Sequence, residues 1–392
     1  MTTENAAPLR VAMIGYAFMG AAHSHAWRTA PRFFDLPLQP VQQVLCGRDQ
    51  AKVAAAADRL GWASTETDWR TAVTRDDVDL VDVCTPGNTH AEIAIGALEA
   101  GKHVLCEKPL ANSVAEAEEM AAAAERAAAN GVRAMVGFTY RRVPAMQLAR
   151  QLIAEGKIGE VRQVRAQYLQ DWLADADAPL SWRLDKTVAG SGALGDIGAH
   201  IADLVQFLTA QQITGVTAMT ETFVTERPIE TERVGIAGVG GDELGPVTVD
   251  DTAMWLARLS GGALGTFEAT RYAWGRKNAL RVEISGTEGA ISFDLERLNE
   301  LEYFDASEDP RTGGFRRILV TEGSHPYIAA WWPPGHGLGY EHGFTHQVVD
   351  LVGALAAGEQ PEPSFADGLA VQRVLAAVQA SAAAGSTWVE VG

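Results

Sequence analysis

The sequence predicts an α/β protein in two parts. The first is an N-terminal domain over residues 1–142 on a parallel sheet; the second is an α+β domain over 143–392 with an open, mostly antiparallel sheet. Three observations predict this. A chain of 392 residues exceeds one ordinary hydrophobic core. Short apolar runs alternate with helical patterns through the first third, the signature of parallel βαβ units. Beyond Pro144 the texture changes to longer stretches of alternating polarity.

Element by element, Leu9–Ile14 reads as a buried strand that leads directly into Gly15-Tyr16-Ala17-Phe18-Met19-Gly20, with a helix from Gly20 to Thr29. Val41–Leu45 is a second strand and Gln50–Leu60 an alanine-rich helix. Leu80–Cys84 is a third strand, after which Asn88 or Thr89 is placed to cap a helix that Gly101 ends. His103–Cys106 is a strand, Ala115–Ala129 a helix stopped by Gly131, and Arg133–Phe138 closes the domain. In the second domain Ala145–Ala154 is helical. Val161–Tyr168, Met254–Leu259, Leu264–Thr270 and Arg281–Ile284 are strands, with Ser260-Gly261-Gly262 as a hairpin turn. Glu226–Asp250 and Asp305–Gly339 are rich in Gly, Pro and charge and read as irregular excursions. Ala366–Ala384 is a helix and Trp388–Val391 a last strand.

The net charge of −18 argues against nucleic-acid or anionic-membrane partners, which require positive surface. An anionic cofactor stays possible, because backbone amides and a few local cations suffice to hold a phosphate. No apolar run reaches the roughly 20 residues that span a bilayer. Met1–Pro8 has no basic segment ahead of an apolar one, so a secretory leader is not expected and the cytoplasm is. Cys46, Cys84 and Cys106 form no metal-ligand spacing with histidine. Each sits at a strand end, as a small buried hydrophobe does, and no metal is expected.

A strand that ends in glycine and opens a helix presents backbone amides to a pyrophosphate. The dinucleotide fingerprint G-x-G-x-x-G appears here as Gly15-x-Ala17-x-x-Gly20, so Gly15, Ala17, Phe18, Met19 and Gly20 are candidate cofactor contacts in a Rossmann-type domain. At the end of the second strand, where an acidic residue would hold the ribose of NAD, the chain has Cys46-Gly47-Arg48-Asp49. Arg48 suits adenine stacking or a 2′-phosphate, which leaves NAD and NADP both open; Asp49 comes too late for the ribose.

Two further strand ends carry polar turns to the same carboxyl edge of the sheet, where open α/β sheets bind ligands. They are Thr85-Pro86-Gly87-Asn88-Thr89-His90 and Glu107-Lys108-Pro109. Thr85, Pro86, Asn88, His90, Glu107 and Lys108 are thus cofactor-side candidates, and a cis bond before Pro109 would hold Lys108 in a sharp turn. In Gly195-Asp196-Ile197-Gly198-Ala199-His200, helical spacing puts Asp196, His200 and Asp203 on one stripe, where Asp196 can orient or charge-stabilise His200. A helix cap for Asp196 and a surface position for His200 fit the spacing equally well.

Taken together these motifs resemble the Gfo/Idh/MocA oxidoreductase family. Gly137-Phe138-Thr139-Tyr140-Arg141 belongs to the same set, and the likeness covers nearly the whole chain. The resemblance implies a catalytic Lys108 and an Asp196/His200 pair. Ala17 departs from the middle glycine, and Thr139 stands where the family often has Asn. Gly20–Ala30, the Cys46–Asp49 turn and Gly335-His336-Gly337…Tyr340-Glu341-His342 point within the family to bacterial sugar 3-dehydrogenases that act on pyranoses or on anhydrosugars such as levoglucosan. That likeness implies NAD as cofactor, a small sugar as substrate and a homodimer or homotetramer.

The reaction implied is oxidation of a secondary hydroxyl to a ketone, with His200 as base and Lys108 as donor to the alkoxide, or the two exchanged. Tyr140, Arg141, Trp182 and Arg183 are further candidates for sugar contacts. His336, Tyr340 and His342 are expected in a loop over the pocket. Two alternatives share the fold: an NAD-requiring glycosidase, against which Lys108 counts, and a non-catalytic dinucleotide-binding sugar sensor, which needs no Lys108, Asp196 or His200.

Overall fold

The computed structural model describes residues 6–234 and 237–392. Residues 1–5 of the expected leader-free terminus, and 235–236 of the expected excursion, lie outside the described residues. The elements in chain order are β1 (Ala7–Ile14), α1 (Phe18–Phe33), β2 (Leu38–Cys46), α2 (Gln50–Leu60), β3 (Ser64–Glu66), α3 (Trp69–Thr74), β4 (Leu80–Val83), α4 (His90–Glu99), β5 (His103–Cys106), α5 (Val114–Ala128), β6 (Ala134–Val136), α6 (Pro144–Ala154), β7 (Val161–Leu169), α7 (Lys186–Ala189) and α8 (Ala199–Thr209). There follow β8 (Ile213–Glu221), β9 (Glu226–Val234), β10 (Ala237–Pro246), β11 (Thr252–Leu259), β12 (Leu264–Thr270), β13 (Ala279–Gly286), β14 (Gly289–Asp294), β15 (Glu300–Asp305), β16 (Arg316–Leu319), α9 (Tyr340–Ala357), α10 (Phe365–Ala383) and β17 (Val389–Glu390).

The chain divides into two compact units, Met1–Thr139 with Tyr340–Leu369, and Tyr140–Gly339 with Ala370–Gly392. The first holds a six-stranded parallel sheet in the order β3-β2-β1-β4-β5-β6. Helices cover both faces, so Val11, Met13, Leu80, Val81 and Leu105 are all fully buried, which is why these strands read as continuous apolar runs. Strand order reverses between β1 and β4, the switch point at which such sheets bind ligands. A capping box closes the start of α5, Ser113 accepting from the Glu116 amide and Glu116 from the Ser113 amide. The edge strand β3 and the short α3 escape sequence reading, because three and six residues are too few to show a period.

Helix α9 also belongs to this unit and packs on α1. Here the expected loop holding Tyr340 and His342 is corrected: both lie in the first turn of an 18-residue helix. Gly343 inside that turn lets it come close to Thr139, whose carbonyl would be 3.6 Å from an added Cβ. The preceding Pro/Gly-rich segment and this glycine hide the helical period.

The second unit carries a nine-stranded sheet, β16-β15-β14-β13-β7-β12-β11-β8-β17, antiparallel throughout except where β7 and β12 run parallel. The expected turn at 260–262 is present: the Leu259 amide donates to the Ala263 carbonyl, and Gly262 adopts φ +87°. On β11, Ala253, Trp255, Ala257 and Leu259 are buried while Met254, Leu256 and Arg258 alternate outward. Over 226–250 the expected excursion is instead largely two antiparallel strands, β9 and β10. They form a two-stranded sheet of their own, so they need no two-sided apolar pattern, and Ile229, Val239 and Leu244 stay exposed. Among the described residues no helix is long and apolar enough to cross a membrane.

Candidate active site

In the first unit β1 ends at Ile14 and Gly15 takes φ +101°, a left-handed conformation that favours glycine. A Cβ on Gly15 would meet the Cys84 carbonyl oxygen at 2.8 Å, and one on Gly20 would meet the Gly15 carbonyl oxygen at 2.3 Å. The outer two glycines of the fingerprint are therefore sterically required. Ala17 is the N-cap of α1 and has no side-chain acceptor, so the first-turn amides have no side-chain cap. This is the backbone cradle that a pyrophosphate fills. Phe18 stands exposed beside it and stacks on Tyr340, ring centroids 6.3 Å apart. Tyr340, expected at the sugar, is thus found at the glycine loop, and Met19 is half-buried there.

At the end of β2, Tyr16 lies over Gly47, where an added Cβ would come within 2.0 Å of its ring. Arg48 is exposed, and Asp49 caps α2 by accepting from the Lys52 amide at 3.0 Å. Asn88 is exposed and Thr85 and Pro86 half-buried at the end of β4. Thr89 stands at the N-cap of α4 without capping it; its hydroxyl donates instead to the Pro86 carbonyl at 2.8 Å. His90 differs from expectation. Its ring is buried between the two turns, with Nδ1 3.0 Å from the Pro109 carbonyl and Nε2 2.9 Å from the Thr85 carbonyl, so both ring nitrogens face backbone rather than a cofactor. Burial holds this imidazole below its ordinary pKa.

The Lys108–Pro109 bond is cis. Behind this turn is a polar cluster that sequence reading missed. Glu107 is buried; one of its oxygens accepts from the Lys108 amide (3.2 Å), the other faces His23 Nε2 (2.9 Å). His23 Nδ1 lies 3.0 Å from both Asp82 oxygens, and Asp82 also accepts from Trp27 Nε1 at 2.7 Å. Burial alone disfavours the charged ring, but the Asp82 carboxylate outweighs it and His23 is raised well above its usual pKa. Cys84 Sγ completes the group, 3.5 Å from Asp82, and burial pushes its thiol strongly up. His23, Asp82 and Cys84 are close enough to share a metal ion. In the structure they form a hydrogen-bonded cluster, with both the His23 ring and the Cys84 thiol at hydrogen-bond distance from Asp82. His23 falls on the buried face of α1, but spacing gave no sign of carboxylates arriving from β4 and β5.

In the second unit the Asp196 segment is a π-helical turn, Leu194–Gly198, running into α8. The wider turn breaks the expected α-helical stripe. Asp196 accepts from Arg271 at 2.7 Å, and the Arg271 guanidinium lies 5.3 Å from the centre of the Trp172 ring. Asp203 instead forms a two-bond ion pair with Arg141, 2.8 and 2.5 Å, both side chains almost fully buried. Arg141, expected at the sugar, is a core clamp. His200 lies against Tyr140 (4.6 Å between centroids) and Tyr168 (5.9 Å). The two tyrosine hydroxyls are 2.6 Å apart, and Tyr168 donates to Asn278 at 2.7 Å. Trp182 and Arg183 share a short helical turn, the guanidinium 4.5 Å over the indole. His336 is exposed in the second unit, whereas Tyr340 belongs to the first.

Residues 9–138 match the family model described as an oxidoreductase family with an NAD-binding Rossmann fold, and residues 146–292 match the GFO/IDH/MocA C-terminal domain. The levoglucosan dehydrogenase of Pseudarthrobacter phenanthrenivorans is 43% identical over 388 residues, 98% of each chain. The chain belongs to the Gfo/Idh/MocA family. A solved oxidoreductase domain protein from Kribbella flavida superposes with a TM-score of 0.94 at 68% identity, covering 98% of this chain and 100% of that one. A levoglucosan dehydrogenase solved with NADH and levoglucosan gives 0.92 at 42% identity, covering 98% and 99%.

This Gfo/Idh/MocA protein is an NAD-binding oxidoreductase, and its parallel unit is the Rossmann domain that the glycine loop predicts. The residues fit the dinucleotide: the places of Gly15 and Gly20 admit no Cβ, and α1 opens without a side-chain cap. Ala17 holds ordinary extended backbone, so its methyl group puts no strain on the loop itself.

Proposed function

We propose that the protein oxidises a secondary hydroxyl of a pyranose or anhydrosugar of the levoglucosan type to the ketone. The observation that carries this reading is an end-to-end likeness to levoglucosan dehydrogenase; the Glu107-Lys108-Pro109 turn and the Asp196-x-x-x-His200 motif, which the family resemblance reads as catalytic, support it. Gly15, Ala17, Phe18, Met19 and Gly20 would hold the pyrophosphate side of NAD. Thr85, Pro86 and Asn88 would line its nicotinamide side, and exposed Arg48 its adenine. When bound, NAD accepts the hydride from the carbinol carbon.

The protein's part is to place the hydroxyl and manage its proton. His200 and Lys108 share the tasks of taking the hydroxyl proton and donating a hydrogen bond to the developing alkoxide. Tyr140 and Tyr168 flank the His200 ring and limit its rotation. Arg271 fixes the Asp196 carboxylate. Trp182 and Arg183 offer the aromatic face and the paired donors that polyols favour.

Oligomerisation and a cytoplasmic location, where NAD is regenerated, belong to the same reading. The outward face of the large sheet carries Met219, Met254, Leu256 and Leu264, each more than half exposed. A contiguous apolar surface of this kind is ordinarily covered, and a second copy of the chain is the occupant proposed here.

The test is cofactor fluorescence with NAD and NADP over a sugar panel that includes levoglucosan and myo-inositol, for the wild type and Lys108→Ala. Reduction of NAD by a pyranose or anhydrosugar, lost in the variant, supports the reading. Dinucleotide binding without oxidation of any sugar would leave the sensor as the better account. Cleavage of a glycoside without net reduction would favour the glycosidase.

A further inference from the structure

The mechanism above leaves unused a deeply buried group of charges in the first unit. His23 is 1% exposed, Asp82 0% and Glu107 4%. An imidazole placed between two carboxylates in such surroundings is costly unless every partner is hydrogen-bonded. Here they are: both ring nitrogens face carboxylate oxygens, and Trp27 and Cys84 serve Asp82. A plain apolar core would stabilise the fold as well, so the arrangement calls for a purpose.

The geometry supplies one. Glu107 is the residue before Lys108, and its two oxygens are divided between His23 and the Lys108 amide. Gly137 makes room for that carboxylate, since a Cβ there would stand 2.7 Å from its Oε1. On the other side of the turn the buried His90 ring packs with Nδ1 3.0 Å from the Pro109 carbonyl. The turn bearing the lysine is therefore flanked at both ends by buried histidines, from α1 and from the start of α4, and is held at its Glu107 end. We propose that His23 is a positioning residue for Lys108: it anchors the Glu107 carboxylate between α1 and β5, and Glu107 in turn fixes the Lys108 backbone at the sheet edge. His23 touches neither sugar nor cofactor in this role. The inference rests on the reading of Lys108 as catalytic.

The test uses the full chain with His23→Gln, compared with Lys108→Ala and with the double variant. The expected result for His23→Gln is a kcat lower by on the order of tenfold to a hundredfold, the effect of a small misplacement of a reacting group. The sugar KM and the NADH Kd stay within about threefold, since no binding contact is removed. In the Lys108→Ala background, His23→Gln lowers the residual rate no further, a non-additivity that a general packing defect would not produce. A folded His23→Gln with wild-type kcat overturns the inference, as does an equal loss in both backgrounds. Wild-type activity in Lys108→Ala would instead sink the catalytic reading of Lys108 itself. If His23→Gln does not fold, Glu107→Gln replaces it. The amide has one acceptor oxygen where the carboxylate uses two, so the same fall in kcat at constant KM is expected, and an unchanged kcat refutes the idea.

Discussion

The reassignment of Arg141 from sugar contact to core clamp can be decided by replacing its partner, Asp203→Ala. The pair is bidentate, with side chains 6% and 2% exposed, and the guanidinium also lies 5.0 Å from the centre of the Phe207 ring. Removing the carboxylate leaves a buried cation that has lost its charge partner, which costs about 3–5 kcal/mol. At about 2–4 °C per kcal/mol for a unit of roughly 150–250 residues, the second unit should melt about 6–20 °C lower. The assay is thermal unfolding followed by circular dichroism, with sugar KM measured well below the transition. Asp203 lies in the core, so KM should stay within about threefold. A melting temperature within 1 °C or so of wild type together with a tenfold higher KM would refute the clamp and restore the sugar contact.

Three further outcomes follow from the structure. Gly20→Ala forces a Cβ to 2.3 Å from the Gly15 carbonyl oxygen, so β1 and α1 must separate. NADH titration should show affinity lower by about tenfold or more, with about 1–3 kcal/mol of stability lost to overpacking; unchanged affinity would remove the glycine loop from the cofactor site. Because the pKa of His23 is raised on folding, its contribution to stability is full below about pH 6.5, its unfolded value, and is lost as pH rises through the folded value. Urea midpoints between pH 6 and 10 should thus decline more for wild type than for His23→Gln, and parallel curves would contradict the protonated ring. Leu256→Glu places a charge on the open sheet face, where Leu256 is 54% exposed. Light scattering should show a smaller assembly than the wild type, and an unchanged or monomeric wild type would refute self-association through this face.

Most of the first unit is legible from the chain alone because its signals are local. Buried parallel strands are continuous apolar runs, and Gly15 and Gly20 mark a loop whose backbone admits nothing larger. Gln50–Leu60 and His103–Cys106 coincide with α2 and β5. The order of the motifs around Lys108 and His200 likewise carries the family and the class of chemistry. Where reading falters, the pattern is diluted: α9 begins with a glycine in its first turn, and β9–β10 is composed of the residues that usually build loops.

What a side chain does with its charge was decided by tertiary structure alone. Arg141 and Asp203 are 62 positions apart, and nothing near either residue announces the other. Arg271, reaching Asp196 from the end of β12, and Asp82 and Glu107, converging on His23, are of the same kind. A burial pattern tells that a residue faces inward; which charge meets it there depends on strand order and on the register between strands. Helical spacing placed Asp196, His200 and Asp203 on one stripe, yet a π-helical turn and two distant arginines separate their tasks. Local periodicity determined the elements and the residue types at the sheet edge, because it is set by backbone geometry. Pairing between buried charges was left to the fold, because it is set by contacts that only chain reversal creates.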